Sequence, residues 1–171
     1  MDFKELVKAR YSVRKFSDRQ IEKETLDTIL EAGRLAPTAK NLQPQRIYVM
    51  QSEESLAKIN ELCPCIYGAK TVMLFTYDRD EDWKNALEDG VHSGQQDVSI
   101  VATHMMMQAT DLGVGTLWIN KFPNSETEKA FNLPKNERAV LLMAFGYMRD
   151  NCRPASLHTI RKPIEELVRI I

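Results

Sequence analysis

The chain has 171 residues, 43 % of them hydrophobic, enough to expect one domain spanning 1–171 with a buried core. Its 23 basic and 24 acidic residues leave a net charge of −1, which argues against a surface built to coat nucleic acid, where lysine and arginine must be in clear excess. No signal-peptide-like run opens the chain, and the longest apolar stretch, Ala139 to Phe145, is too short to cross a bilayer, so a cytoplasmic protein is expected.

Phe3, Leu6 and Val7 share one face of a short opening helix. The run Arg10-Tyr-Ser-Val-Arg-Lys-Phe16 follows. If extended, it puts Arg10, Ser12 and Arg14 on one side and Tyr11 and Val13 on the other. Two guanidinium groups flanking a hydroxyl suit an anion with several oxygens, because arginine offers fixed donors and keeps its charge near neutral pH. A solvated polar stripe would have the same pattern. Glu22 and Glu24 stand at the positive end of a helix carrying Leu26, Ile29, Leu30 and Gly33, and Pro37 limits its length. Ala36-Pro-Thr-Ala-Lys-Asn-Leu-Gln-Pro44 is rich in backbone-shaping and amide residues, suited to the edge of a flat polar ring.

Arg46 to Met50 reads as a strand, Ser52 as the N-cap of a helix through about Leu62, and Thr71 to Tyr77 as a buried strand. Between them, Cys63-Pro-Cys65 is poor geometry for a disulfide and has no second pair to make a zinc site. A long helix is expected over Ser93 to Leu112, with Val98, Val101, Ala102, Met105, Met106 and Ala109 on its buried face and Gly113 as a left-handed cap. Met105 to Met107 read as core filling. Gly115 remains after that cap, as if something approaches the backbone there.

Thr116 to Ile119 is a short strand, Asn124 or Ser125 can cap a helix through Phe131, and Ala139 to Gly146 is a further strand. Arg161-Lys-Pro163 opens a last helix through Leu167, where a phosphate would meet arginine and the positive helix end together; taken alone, the basic pair also reads as plain surface. Helices and strands mix without strict βαβ order, which favours an α+β class. His92, His104 and His158 lie in no nucleophile or metal motif, so neither a hydrolase nor a metal site is expected. Gly113-Val-Gly115 follows a helix and precedes a strand, the reverse of a dinucleotide-binding entry.

Five segments together resemble the FMN-dependent nitroreductase family over nearly the whole length: RYSVRKF, LAPTAKNLQP, DLGVGTLWI, AFGY and RKPIEELV. The resemblance implies a three-layer α+β sandwich, with a central mixed, mainly antiparallel sheet flanked by helices. It also implies an intertwined homodimer with FMN at the subunit interface. Hydride would pass from NADH or NADPH to flavin N5 and on to a nitroaromatic, quinone or similar small acceptor by ping-pong kinetics. Arg10 and Arg161 would hold the FMN phosphate, Ser12 would contact phosphate or ribityl oxygens, and Tyr11 belongs to the same cofactor-binding run.

By the same resemblance, Arg14 would sit at the N1–C2=O edge of the ring, where a cation helps set the redox potential. Thr38, Ala39 and Asn41 would reach the flavin of the partner subunit. Backbone groups of Leu117, Trp118 and Ile119 would line the ring near N5. Gln45 stands where an aromatic often follows Gln-Pro, Cys63-Pro-Cys65 matches no family pattern, and the chain is short, implying an open or altered acceptor pocket. A specialised flavin reductase (dehalogenase or enone reductase type), a flavin-storage or redox-sensing protein, and a flavin-free interaction domain are the competing readings.

Overall fold

The computed structural model describes all 171 residues. Strands β1 (Gln45–Met50), β2 (Thr71–Asp78), β3 (Gly115–Ile119) and β4 (Glu137–Gly146) form a four-stranded antiparallel sheet of order β1-β2-β4-β3. Every residue of β2 is buried, which is why its sequence is apolar and β-branched without alternation. The pleat divides the central side chains between two cores. Val72, Leu74, Leu142 and Ala144 face a layer holding α3 (Glu53–Leu62), with α5 (Asn124–Ala130) beside it. Met73, Phe75, Met143 and Phe145 face α2 (Lys23–Arg34) and α4 (Gly94–Asp111). A bulge pairs Phe75 with Leu141 but Thr76 with Ala139, so Val140 is skipped and Ala139 turns to the same core as Leu142.

The long helix α4 buries Val98, Val101, Ala102, Met105 and Ala109, the stripe its periodicity predicts, and Gly113 ends it at φ 75°. It starts tightly: a Cβ on Gly94 would stand 2.2 Å from the Tyr77 ring. Ser52 caps α3 as expected, accepting the Ser55 N–H at 3.2 Å. Neither Asn124 nor Ser125 caps α5, which opens after Pro123. The Asn124 amide instead donates to the Ala139 carbonyl at 2.9 Å and ties the helix to β4.

Helix α1 (Phe3–Ala9) buries only Leu6, and Phe3 and Val7 on its expected apolar face are exposed. The last helix, α6 (Ile164–Leu167), buries nothing. Cys63, Cys65 and Cys152 are free thiols, with the Cys63 Sγ donating to the Lys121 carbonyl. No helix is long and apolar enough to cross a membrane.

Candidate functional site

The Arg10–Arg14 run is fixed by its apolar side. Val13 is buried in the α3-side core, and its N–H donates to the Thr116 carbonyl at 2.9 Å. Ser12 and Thr116 form a parallel bridge, so the run lies along the free edge of β3. Gly115 makes that approach possible. A Cβ there would lie 2.7 Å from Val13 Cγ2 and 2.9 Å from Met148 Cγ. What comes close to this backbone, as the spare glycine predicts, is the chain's own Val13 segment.

Docked this way, Arg10, Tyr11, Ser12 and Arg14 meet His158 and Arg161 around one cavity of about 270 Å³. Residues 150 positions apart thus share one site. No carboxylate lines it, and none of its arginines forms an ion pair. Their only side-chain bonds are to backbone oxygens: Arg14 Nη1 to Ser12 O at 3.3 Å, and Arg161 Nη1 to the carbonyls of His158 at 2.5 Å and Ile160 at 2.8 Å. Those carbonyl bonds orient the guanidinium groups without neutralising them, which leaves converging positive charge for an anion. The Tyr11 ring stands edge-on to His158 at 6.0 Å, and its hydroxyl donates to Met148 Sδ. Burial, then the neighbouring Cys152 thiol, pushes the Tyr11 phenol up.

Arg10 and Arg161 also border a larger apolar groove of about 900 Å³, walled by Phe3, Leu6, Val7, Leu35 and Met107. At its rim the N-terminal ammonium pairs with Asp111 at 2.9 Å, and that hydrogen bond pushes the amine up.

Leu117 and Ile119 are buried in the core, so only backbone could serve a ligand there. Thr116 turns its carbonyl to Val13, and antiparallel alternation therefore turns the Trp118 N–H and C=O to the same open edge. Leu117 and Ile119 direct theirs at β4. The Trp118 indole donates to Asn120 Oδ1 at 2.8 Å, just past the strand.

Thr38, Ala39 and Asn41 do not line the arginine cavity of their own chain. They belong to a loop in which Lys40, Asn41 and Gln43 have φ of 50°, 55° and 53°. A left-handed non-glycine residue costs about 1–2 kcal/mol. Thr38 Oγ1 accepts the Gln43 N–H at 3.0 Å, and Asp97, 2 % exposed, accepts the Ala39 N–H at 2.9 Å and the Ser93 hydroxyl at 2.6 Å. Asp97 is in the first turn of α4, whereas the groove beside Arg10 uses Thr103 to Asp111. From Asp97 to Asp111 the helix rises about 20 Å.

His158 and Asp97 were not legible as site residues. His158 could have been found, since it precedes Arg161 by one turn of the same basic segment. Asp97 meets a loop 58 positions away, and no local pattern announces that.

A protein-family model described as the nitroreductase family matches residues 7–65 and 61–147. A solved nitroreductase family protein from Clostridium difficile 630 is 37 % identical, with a TM-score of 0.92 over 99 % of this chain and 98 % of that one. A provisionally named nitroreductase from Desulfovibrio desulfuricans, solved in complex with FMN, is 25 % identical with a TM-score of 0.80 over 96 % and 93 %. An Archaeoglobus fulgidus protein, provisionally named an NADH dehydrogenase/NAD(P)H nitroreductase, is 30 % identical over 159 residues, covering 85 % of this chain and 84 % of its own length. With both halves of its sheet and the arginine run inside the matched segments, this chain belongs to the nitroreductase family.

Proposed function

We propose that the chain is an FMN-dependent NAD(P)H oxidoreductase that reduces a nitroaromatic, quinone or similar small acceptor. The observation that carries this reading is the cavity of unpaired arginines with a hydroxyl and no carboxylate, a donor set that fits a phosphate ester. Bound FMN would supply hydride transfer at N5. Arg10 and Arg161 neutralise the phosphate, and the Ser12 hydroxyl donates to its oxygens or to the ribityl chain. Arg14, steadied by the Ser12 carbonyl, places a cation toward the N1–C2=O edge, where it favours negative charge on the ring. The Trp118 N–H and C=O, at the open edge of β3, would be the backbone groups available to hydrogen-bond the ring near N5.

Two further observations support an interfacial site in a homodimer. Phe3, Val7 and Leu35 are exposed on the groove beside Arg10, and Leu157, Ile160, Ile164 and Leu167 are exposed along the last segment. The ring-edge loop and the arginine cavity stand at opposite ends of α4. A two-fold partner whose α4 runs antiparallel brings its Thr38–Asn41 loop to this chain's cavity. Sedimentation should give a dimer, and a monomer with full FMN occupancy would remove the interfacial site.

The test of function is an anaerobic visible spectrum of the protein with FMN, before and after NADH and then NADPH. Flavin bands that bleach on one addition, and return on adding a nitroaromatic or quinone, are expected. Bound flavin that stays oxidised would refute the reductase, and absence of bound flavin would refute the cofactor.

A further inference from the structure

We propose that Asp97 is the positioning residue for the Thr38–Asn41 loop, setting where its backbone meets the flavin. This rests on the flavin reading above. Across residues 38–42, every other hydrogen bond stays within 38–43: Asn41 N–H to Thr38 O, Leu42 N–H to Ala39 O, Gln43 N–H to Thr38 Oγ1, and Gln43 Nε2 to Asn41 O. The bond from Ala39 N–H to Asp97 Oδ1 is the one that ties residues 38–42 to another element, while the Gln43 carbonyl at the end of the loop accepts a longer bond from Arg46 Nη1 at 3.4 Å. Left-handed residues crowded at Lys40, Asn41 and Gln43 persist only where surrounding structure holds them; Arg46 and the Asp78 N–H hold the far end at Gln43 and Pro44, and the Asp97 contact holds the near end at Ala39.

The geometry separates this role from ordinary helix capping. An acid in a first turn stabilises its helix by facing that helix's free N–H groups. Asp97 instead gives one oxygen to the loop and the other to the Ser93 hydroxyl at 2.6 Å. The Asp97 N–H donates to the Ser93 carbonyl at 2.8 Å, so Ser93 and Asp97 grip each other twice. That grip fixes the carboxyl rotamer and with it the height of Ala39. Asp97 lines neither the arginine cavity nor the groove beside Arg10, and its carboxylate bonds only the loop and Ser93, so its route to the cofactor is the loop.

The test compares Asp97→Ala and Asp97→Asn with the wild type in two measurements. The first is tryptic cleavage after the exposed Lys40 in the flavin-free protein. The second is FMN affinity and the flavin absorption spectrum in the loaded protein. Asp97→Ala should be cleaved about tenfold faster and should bind FMN about tenfold more weakly, with a shifted flavin band, as expected for loss of one well-formed hydrogen bond. Asp97→Asn keeps a carbonyl acceptor for the Ala39 N–H and should restore both to within about threefold. If Asp97→Ala does not fold, Ser93→Ala is read in its place, with about threefold changes expected in the same directions.

An Asp97→Ala loop that resists trypsin like the wild type would overturn the anchor. A cleavable loop with unchanged FMN affinity and spectrum would overturn the link to the cofactor. In the Ser93→Ala arm, wild-type cleavage and binding would overturn the proposal. A wild-type protein that binds no FMN would remove the flavin reading and this inference with it, whereas wild-type binding beside an unaffected variant removes the inference alone.

Discussion

Gly115→Ala tests how the Arg10–Arg14 run is mounted. The added methyl would sit 2.7 Å from Val13 Cγ2 and 3.2 Å from Val13 Cβ, with Met148 Cγ at 2.9 Å. Met148 is 39 % exposed and can swing away, but Val13 is 1 % exposed and β-branched, with no free rotamer to take. Relief must come from lifting the Ser12–Val13 backbone off β3. Overpacking of this kind costs about 1–3 kcal/mol, and stretching the Val13–Thr116 hydrogen bond adds about 1 kcal/mol. At roughly 2–4 °C per kcal/mol for a chain of this size, the midpoint of thermal unfolding should fall by roughly 4–16 °C.

Gly33→Ala is the control. Its methyl would meet Met105 Sδ at 2.6 Å and Cγ at 2.8 Å. Met105 is 0 % exposed, so it must repack inside the core, but its thioether has rotamers that a β-branched valine lacks, and alanine gains about 1 kcal/mol over glycine inside a helix, so the loss should be smaller than for Gly115→Ala. Scanning calorimetry of both variants, with FMN titration of each, is the assay. Gly115→Ala should lose FMN affinity, because Ser12 and Arg14 move with Val13, and Gly33→Ala should keep it. Equal midpoints for Gly115→Ala and the wild type would refute the docking argument, as would a Gly33→Ala variant that loses as much.

Arg10→Ala should weaken FMN binding by about tenfold or more, since it removes a charge-assisted contact to phosphate; fluorescence titration checks this, and unchanged affinity would reassign Arg10. Arg14→Ala should lower the flavin midpoint potential more than it lowers affinity, and a redox titration that finds no change would take Arg14 from the N1 edge. Tyr48 is pushed up to about 12 by burial and then by its hydrogen bond to Glu137. The unfolded phenol ionises near 10, so this stability is complete below that pH and is lost as pH rises from about 10 to about 12. In Tyr48→Phe, alkaline unfolding should lose that component, and an unchanged profile would refute it. Glu22 is held down to about 2 by the Tyr147 hydroxyl and then Arg19, so its contribution is present above about 4.5 and is lost as pH falls toward 2. Acid unfolding of Tyr147→Phe should show a shallower dependence in that window.

What could be read from the sequence is what short-range chemistry decides. In α4 and β2, periodicity and an unbroken apolar run settle both element and burial, because the partners of those residues are whole layers and any neighbour in the layer will do. The arginine cavity was half legible: Arg10, Ser12 and Arg14 alternate within one strand-like run, but a solvated stripe shares that spacing, and the contact with Arg161 that closes the cavity is long-range. The failures share a different cause. Asn124 had the chemistry of a helix cap, but the helix opens one residue earlier, after Pro123, and the Asn124 amide N–H turns to the Ala139 carbonyl 15 positions away. Phe3 and Val7 had the spacing of a buried face, yet this chain offers nothing to cover them.

Gly115 and Asp97 make the sharpest contrast. A glycine within a strand signals that something comes close, although not that Val13 is the visitor. An aspartate in a helix's first turn already has an ordinary local explanation, so its long-range contact with Ala39 leaves no trace in the pattern. A residue whose local chemistry is satisfactory hides its tertiary role, whereas one that is locally costly advertises it. By that measure the left-handed Lys40, Asn41 and Gln43 are the loop's own signal: backbone cost gathered beside the Asp97 contact, in the segment proposed to meet the flavin.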